Sequence, residues 1–324
     1  AENLSNKLGG AKILFKQEHL NHTGSHKITN SLFQVLLAKR MGKKNLICES
    51  GAGQHYSATA AVAAKFGIPL IGVMGEVDIK RVNQNIIKAK HYGAKLKAVP
   101  GTLKEAITDA IKTWITNPDY YYVCGSAVSS FPFPKIVQFA QSIIGKEIRE
   151  QCLEQEKKLP NMIIGCVGGG SNFIGSIHEF LDEPNIKKIG VEAAETAALT
   201  HGTPNIMQGM KSYMLASSDG SKSLGGSSLG AGIQYFGVGP QHSYLKDQGA
   251  VTYTSATDKE ILNAYKVVAQ SEGISSALEP MAAAAEVLKQ AKGKPKDFII
   301  VLSLCGRGEK DLDTIEEHMG KDFE

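Results

Sequence analysis

Met162-Ile163-Ile164-Gly165-Cys166-Val167-Gly168-Gly169-Gly170-Ser171-Asn172 is the stretch on which the reading of this chain turns. A short β-branched run ends in three glycines and opens a helix. Small residues at such a turn let backbone amides close around an anion, which a helix N-terminus favours. The rival reading is a dinucleotide turn, with Glu192 about twenty residues on at the end of the next strand. Phe173 weakens that rival, because it stands where a GxGxxG turn needs its third glycine. A plain tight turn is the third reading of the loop taken alone.

Outward from this point the same alternation repeats. Lys12 to Phe15, Asn45 to Cys48, Pro69 to Met74, Tyr121 to Cys124, Met162 to Val167, Lys188 to Glu192 and Phe298 to Ser303 read as strands. Between them Ile28, Leu32, Val35 and Leu36 mark an apolar helix face ahead of Lys39 and Arg40. Helical segments also run from His55 to Phe66, Asp78 to His91, Leu103 to Thr116, Lys135 to Glu156, Asp258 to Ser271 and Pro280 to Gln290. This order predicts an α/β fold with parallel sheets, helices on both faces, and ligands at the carboxyl ends of strands. The Ser/Gly-rich stretch Ser217 to Gly232 reads as a long surface loop of the kind often used as a lid.

The composition excludes several classes. With 324 residues, 42% of them hydrophobic, the chain can bury a large core and make two domains. A net +4 from 36 basic and 32 acidic residues is spread along the chain, which argues against nucleic acid. Cys48, Cys124, Cys152, Cys166 and Cys305 have no CxxC spacing, so neither a disulfide framework nor a zinc site is signalled and a reducing, cytoplasmic setting fits. No apolar run reaches membrane-spanning length.

Two further loops carry candidate chemistry. Glu49-Ser50-Gly51-Ala52-Gly53-Gln54-His55 runs from a strand into a helix and sets an acid beside backbone able to bind an anion; a surface turn is its bland alternative. In His19-Leu20-Asn21-His22-Thr23-Gly24-Ser25-His26-Lys27 a polar turn delivers a lysine to the start of an apolar helix, where partial desolvation favours attack on a carbonyl. The three histidines match no justified metal spacing, and Lys27 alone could be an ordinary helix-start lysine.

Taken together, Leu20 to Lys27, Glu49 to His55, Met74-Gly75 with Arg81, Phe133-Pro134, Gly168 to Asn172, Val238-Gly239-Pro240-Gln241-His242, Ala277-Leu278-Glu279 and Gly306-Arg307-Gly308-Glu309-Lys310-Asp311 closely resemble the tryptophan synthase β-chain family. The match is collinear over essentially the whole chain. The resemblance implies fold type II of the pyridoxal-phosphate enzymes: two open, mainly parallel α/β domains with the cofactor between them. Residues 26–145 would form a smaller mobile domain, and 1–25 with 146–324 a larger one.

By the same resemblance Lys27 holds pyridoxal 5'-phosphate as a Schiff base, and Lys27 and Glu49 are the catalytic residues. The cofactor would be bound by Lys27, His26, Gln54, Gly168, Gly169, Gly170, Ser171, Asn172, Glu279 and Cys305. Substrate would be bound by Ser50, Gly51, Ala52, Gly53, Gln54, His55, Arg81 and Gln234. No side-chain metal site is implied, although the family binds a monovalent cation through backbone carbonyls. The implied activity is that of a lyase of tryptophan biosynthesis, a β-replacement forming L-tryptophan from indole and L-serine. A related β-substituting or serine-deaminating enzyme, or a non-catalytic cofactor-binding homologue, is the alternative. The implied partners are a tryptophan synthase α chain and a second copy in a homodimer, with no nucleic acid and no membrane.

Three departures from the family pattern matter. Gln234 stands where the family has an aspartate that pairs with the arginine matching Arg81, so O-phosphoserine becomes a rival donor to L-serine. Cys305 replaces a serine facing the pyridine nitrogen, and a thiol is the weaker hydrogen-bond donor. The family also carries several dozen residues ahead of the position matching Ala1, which help contact the α chain, so the expectation is either that the sequence is trimmed at its start or that this contact has been lost.

Overall fold

A computed structural model describes residues 1–80, 82–217, 224 and 226–322, and of Asp322 the backbone alone. The chain divides into two compact units, Leu20–Gly125 and Ala1–His19 with Ser126–Glu324.

In the unit Leu20–Gly125 four parallel strands lie in the order Lys95–Val99, Leu70–Gly75, Asn45–Glu49 and Tyr120–Tyr122. The central strand is sealed on both faces, with Leu46, Ile47 and Cys48 fully buried, as a parallel strand under helices must be. The alanine-rich helix Gln54–Phe66 lies close to the sheet, since a Cβ on Gly72 would overlap the ring of Tyr56. Helix Leu103–Thr116 is started by a reciprocal cap in which Thr102 and Glu105 serve each other's backbone, the Thr102 N–H reaching Glu105 Oε2 at 2.8 Å.

The other unit holds five parallel strands in the order Lys12–Lys16, Ile299–Ser303, Met162–Cys166, Lys187–Ala193 and Thr252–Ala256, and an antiparallel hairpin of Thr203–Met207 with Met210–Met214. The period-two alternation of the strand Met162–Cys166 decides which face each side chain serves. Met162, Ile164 and Cys166 enter a core with Ala282, Ala283, Ala284 and Ile261, while Ile163 and Val167 enter another with Ile144, Phe173 and Ile177. Helices therefore cover both faces of this sheet. Among the described residues no helix is long and apolar enough to cross a membrane.

All seven expected strands are present, and among the described residues the sequence reading missed four. Lys95–Val99 and Thr252–Ala256 are sheet edges whose Lys95, Lys97 and Thr252 stay exposed, so the apolar signal of a buried strand is absent. The hairpin strands Thr203–Met207 and Met210–Met214 are also half exposed. Lys135 to Glu156, read as one helix, is two: Phe133–Gln141 and Ile143–Glu156. The break falls at Ser142, whose Oγ donates back to the Phe139 carbonyl at 2.8 Å, a bond that competes with the helix ladder. Asp78 to His91 likewise divides into Glu76–Ile79 and Asn83–His91. Of the expected loop Ser217 to Gly232, residues 218–223 and 225 lie outside the described residues.

The helix expected around Ile28 to Leu36 is present as Lys27–Arg40, but its buried face differs from the reading. Leu32 and Leu36 are 41% and 44% exposed, and the fully buried positions include the polar Asn30, Ser31 and Gln34 beside Val35 and Ala38. Hydrophobic period located the helix and misplaced its inner face.

Candidate active site

In the unit Leu20–Gly125 the polar turn before Lys27 carries Thr23 at φ 68, and His26 is the buried residue just before the helix starts. Lys27 is half-buried, and its Nζ donates to the Gly125 carbonyl at 2.5 Å. Glu49 ends the central strand, 4% exposed, and its Oε1 accepts the Gly125 N–H at 3.3 Å. Burial raises the Glu49 pKa to about 7, against the pull of the Tyr122 hydroxyl, the Gly125 N–H and the Lys27 charge. A carboxyl so placed exchanges protons near neutrality. The amine and the carboxyl thus rest on the two backbone groups of one residue.

His55 belongs to the same assembly. Its Nε2 donates to the Val123 carbonyl at 2.8 Å, and burial with the nearby Lys27 charge lowers its pKa to about 3, so the ring is neutral. Ser50, Gly51, Ala52, Gly53 and Gln54 form the turn from the strand into helix Gln54–Phe66. Gly53 sits at φ +73, where a Cβ would lie 2.7 Å from that of Asn85, and Asn85 Nδ2 pins the turn by donating to the Ala52 carbonyl at 2.9 Å. Arg81 lies outside the described residues.

In the other unit the strand Met162–Cys166 delivers Gly168-Gly169-Gly170 to helix Ser171–Ile177. Each glycine is required by a close approach. A Cβ on Gly168 would stand 2.6 Å from the Gly232 carbonyl oxygen, one on Gly169 would overlap Ser126 Oγ, and one on Gly170, at φ +96, would overlap the His242 ring. His242 locks the turn, with Nε2 donating to the Gly170 carbonyl at 2.8 Å and Nδ1 accepting from the Tyr253 hydroxyl at 2.9 Å. Burial lowers its pKa to about 4, so it too is neutral. Asn172 accepts from Ser303 Oγ through Oδ1 at 3.1 Å, while its buried Nδ2 has no partner in the protein.

Glu279 starts helix Leu278–Gln290. Its Oε1 accepts the Gly232 N–H at 2.7 Å and Lys310 Nζ at 2.9 Å, and Lys310 also donates to both Asp311 oxygens at 2.8 Å. Burial opposes charge here, yet Lys310 and the Gly232 N–H hold Glu279 below the ordinary carboxylate value, while the two carboxylates raise Lys310. Cys305 Sγ lies 3.5 Å from Cys166 Sγ, and Gln234 is half-buried at the end of the turn Ala231–Ile233.

A phosphate fits the residues of this unit, a turn with no room for a side chain and a buried amide donor lacking a protein partner, and an aldehyde fits the half-buried lysine of the unit Leu20–Gly125. Among the described residues no cluster of His, Cys, Asp and Glu is arranged to hold a metal ion. Sequence reasoning missed Val123-Cys124-Gly125, Tyr122, Asn85 and the buried amides Asn30 and Gln34. Polar residues at positions 27, 30 and 34 of one helix were the available signal, since that spacing puts them on one face.

A family model described as "Pyridoxal-phosphate dependent enzyme" matches residues 1–306. A tryptophan synthase beta chain from Allorhizobium ampelinum is 48% identical over 332 residues, an alignment taking in 99% of this chain and 82% of that one.

Proposed function

From the premise that this chain belongs to the pyridoxal-phosphate dependent enzymes, and among them to the tryptophan synthase beta-chain family, we propose that it is a lyase joining indole to a serine-type donor to make L-tryptophan. Pyridoxal phosphate, when bound, supplies the electron sink that stabilises negative charge at the donor's Cα. The rest is the work of the chain. Lys27 holds the cofactor, takes the Cα proton and returns it. Glu49, ionising near pH 7, gives a proton to the departing donor group and takes one from indole. Ser50, Gly51, Ala52, Gly53, Gln54 and the neutral His55 hold the amino-acid carboxylate. Gly168, Gly169, Gly170, Ser171 and Asn172, with His26, hold the phosphate, and Glu279 and Cys305 face the ring.

The observation that carries this reading is the placement of the Lys27 amine and the Glu49 carboxyl on the carbonyl and N–H of Gly125. A β-replacement needs a base for the Cα proton and an acid for the leaving group, and these two groups have the required chemistry. The test is to add pyridoxal phosphate, reduce with borohydride and map the labelled peptide, then supply indole with L-serine or O-phosphoserine. Label on Lys27 and tryptophan as product are expected; label elsewhere, or keto acid alone, would refute the reading.

Two finer points belong to the same proposal. O-phosphoserine rivals L-serine, because Gln234 cannot make the ion pair an aspartate would make with Arg81. A second copy of the chain in a homodimer and a tryptophan synthase α chain are the partners this reading implies, the α chain because the relative is named a beta chain.

A further inference from the structure

Val123 is tied to the neighbouring strand through its backbone, its N–H donating to the Ile47 carbonyl at 2.8 Å. Cys124 and Gly125 follow, beyond the strand Tyr120–Tyr122, and both are buried. Gln34 and Asn30, both 0% exposed, reach this backbone from helix Lys27–Arg40. Gln34 Oε1 accepts the Cys124 N–H at 3.2 Å, and Gln34 Nε2 donates to the Cys124 carbonyl at 2.7 Å, where Asn30 Nδ2 adds a second donor at 2.9 Å. Gln34 Nε2 also donates to Asn30 Oδ1 at 2.7 Å, so the two amides hold each other. One side chain thus satisfies both backbone groups of the residue immediately before Gly125.

We propose that Gln34 is a positioning residue for the Lys27 and Glu49 pair: by gripping both backbone groups of Cys124 it fixes the Gly125 peptide on which the amine and the carboxyl rest. The inference rests on the roles given above to Lys27 and Glu49. Its physical basis is the difference between filling space and fixing direction. An apolar side chain of the same length would pack the same volume, but it would leave the Cys124 N–H and carbonyl buried with fewer partners, and the segment would rotate to recover them. Any such rotation moves the Gly125 N–H off Glu49 Oε1 and the Gly125 carbonyl off Lys27 Nζ together. The ionisable groups facing Glu49 are the Lys27 amine, the Tyr122 hydroxyl and the Cys48 thiol. Lys27 shares the Gly125 anchor, whereas Tyr122 and Cys48 lie on strands whose ladders Gln34 does not touch.

The test compares the full chain with Gln34→Met and Gln34→Glu, each supplied with pyridoxal phosphate. Two readouts are followed across pH: kcat and donor KM, and the carbon-13 resonance of the Glu49 carboxyl, assigned by its loss in Glu49→Gln. In Gln34→Met the carboxylate loses its fixed N–H donor, so its midpoint should rise by about half a pH unit or more, roughly threefold in acidity. The kcat at neutral pH should fall about tenfold while donor KM stays within about twofold, the pattern of a lost transition-state interaction. Gln34→Glu, while its new carboxyl is protonated, keeps the acceptor for the Cys124 N–H and one of the amide's two donors, and should stay closer to the parent than Gln34→Met; once ionised it cannot donate, and the Glu49 curve should depart further. Variants that load cofactor and follow the parent in both readouts would overturn the inference, as would a fall in kcat with the Glu49 midpoint unmoved. If Gln34→Met fails to fold, Gln34→Glu decides, since coincidence with the parent at every pH overturns the proposal. Failure of the parent itself to take label on Lys27 would instead count against the functional reading.

Discussion

Replacing Glu49 by glutamine should make the chain more stable and less active, by amounts that depend on pH. Glu49 is buried, and burial lifts its pKa from the ordinary 4.5 to about 7. An acid whose pKa is higher folded than unfolded binds its proton more tightly in the folded state. Below pH 4.5 both states are protonated and nothing is lost. Between 4.5 and about 7 the unfolded chain ionises first and stability falls, and above that the loss is complete. At about 1.4 kcal/mol per pH unit this amounts to roughly 3 kcal/mol at pH 8. Glutamine keeps the acceptor for the Gly125 N–H and cannot ionise, so Glu49→Gln should exceed the parent by ~3 kcal/mol at pH 8 and match it near pH 4.5. The assay is urea unfolding followed by the fluorescence of Trp114, the sole tryptophan, whose ring centroid lies 6.1 Å from that of Tyr122 in the same unit. Tryptophan formation by the variant should meanwhile be almost abolished, because an amide donates no proton to a leaving group. A stability difference that is equal at both pH values, or a variant that still turns over at the parent rate, would refute the reasoning.

Gly170→Ala puts a Cβ at φ +96 into the His242 ring, and should weaken pyridoxal-phosphate binding more than about tenfold in a fluorescence titration, backbone strain alone costing ~1–2 kcal/mol. Gly67→Ala, at φ +67 in open space, is the control and should leave that affinity unchanged. Lys310→Met leaves the Glu279 and Asp311 carboxylates buried without their cation; it should cost roughly 3 kcal/mol at pH 8 and less at pH 5, where the carboxyls take up protons, as read from urea midpoints. Gln234→Asp should lower kcat/KM for O-phosphoserine relative to L-serine, and an unchanged ratio would remove Gln234 from donor choice.

The core of each sheet was legible because a parallel strand under helices is apolar on both faces, as Leu46-Ile47-Cys48 and Ile299-Ile300-Val301-Leu302 are. The edges Lys95–Val99 and Thr252–Ala256 were not, the first because Lys95-Leu96-Lys97 carries the charges that keep an edge strand from pairing with another chain. The triple glycine was legible as a turn from a strand into a helix, and the structure has it there. What closes it was not: His242 lies 72 residues from Gly170, and no local pattern links them.

The same limit explains the helix Lys27–Arg40. Reading its inner face from Leu32 and Leu36 assumes that burial selects apolar side chains, which fails wherever backbone beyond a strand end must be satisfied. Gln34 and Asn30 are inside because they meet the Cys124 carbonyl and N–H, and Leu32 and Leu36 take the outer side of the same helix. Gly125 itself acts only through its main chain, so its chemistry leaves a single trace in the sequence. It must be glycine, because a Cβ there would overlap the His55 ring while that ring donates to Val123. A residue whose N–H meets the acid and whose carbonyl meets the amine could be found only once the three-residue segment was seen in place.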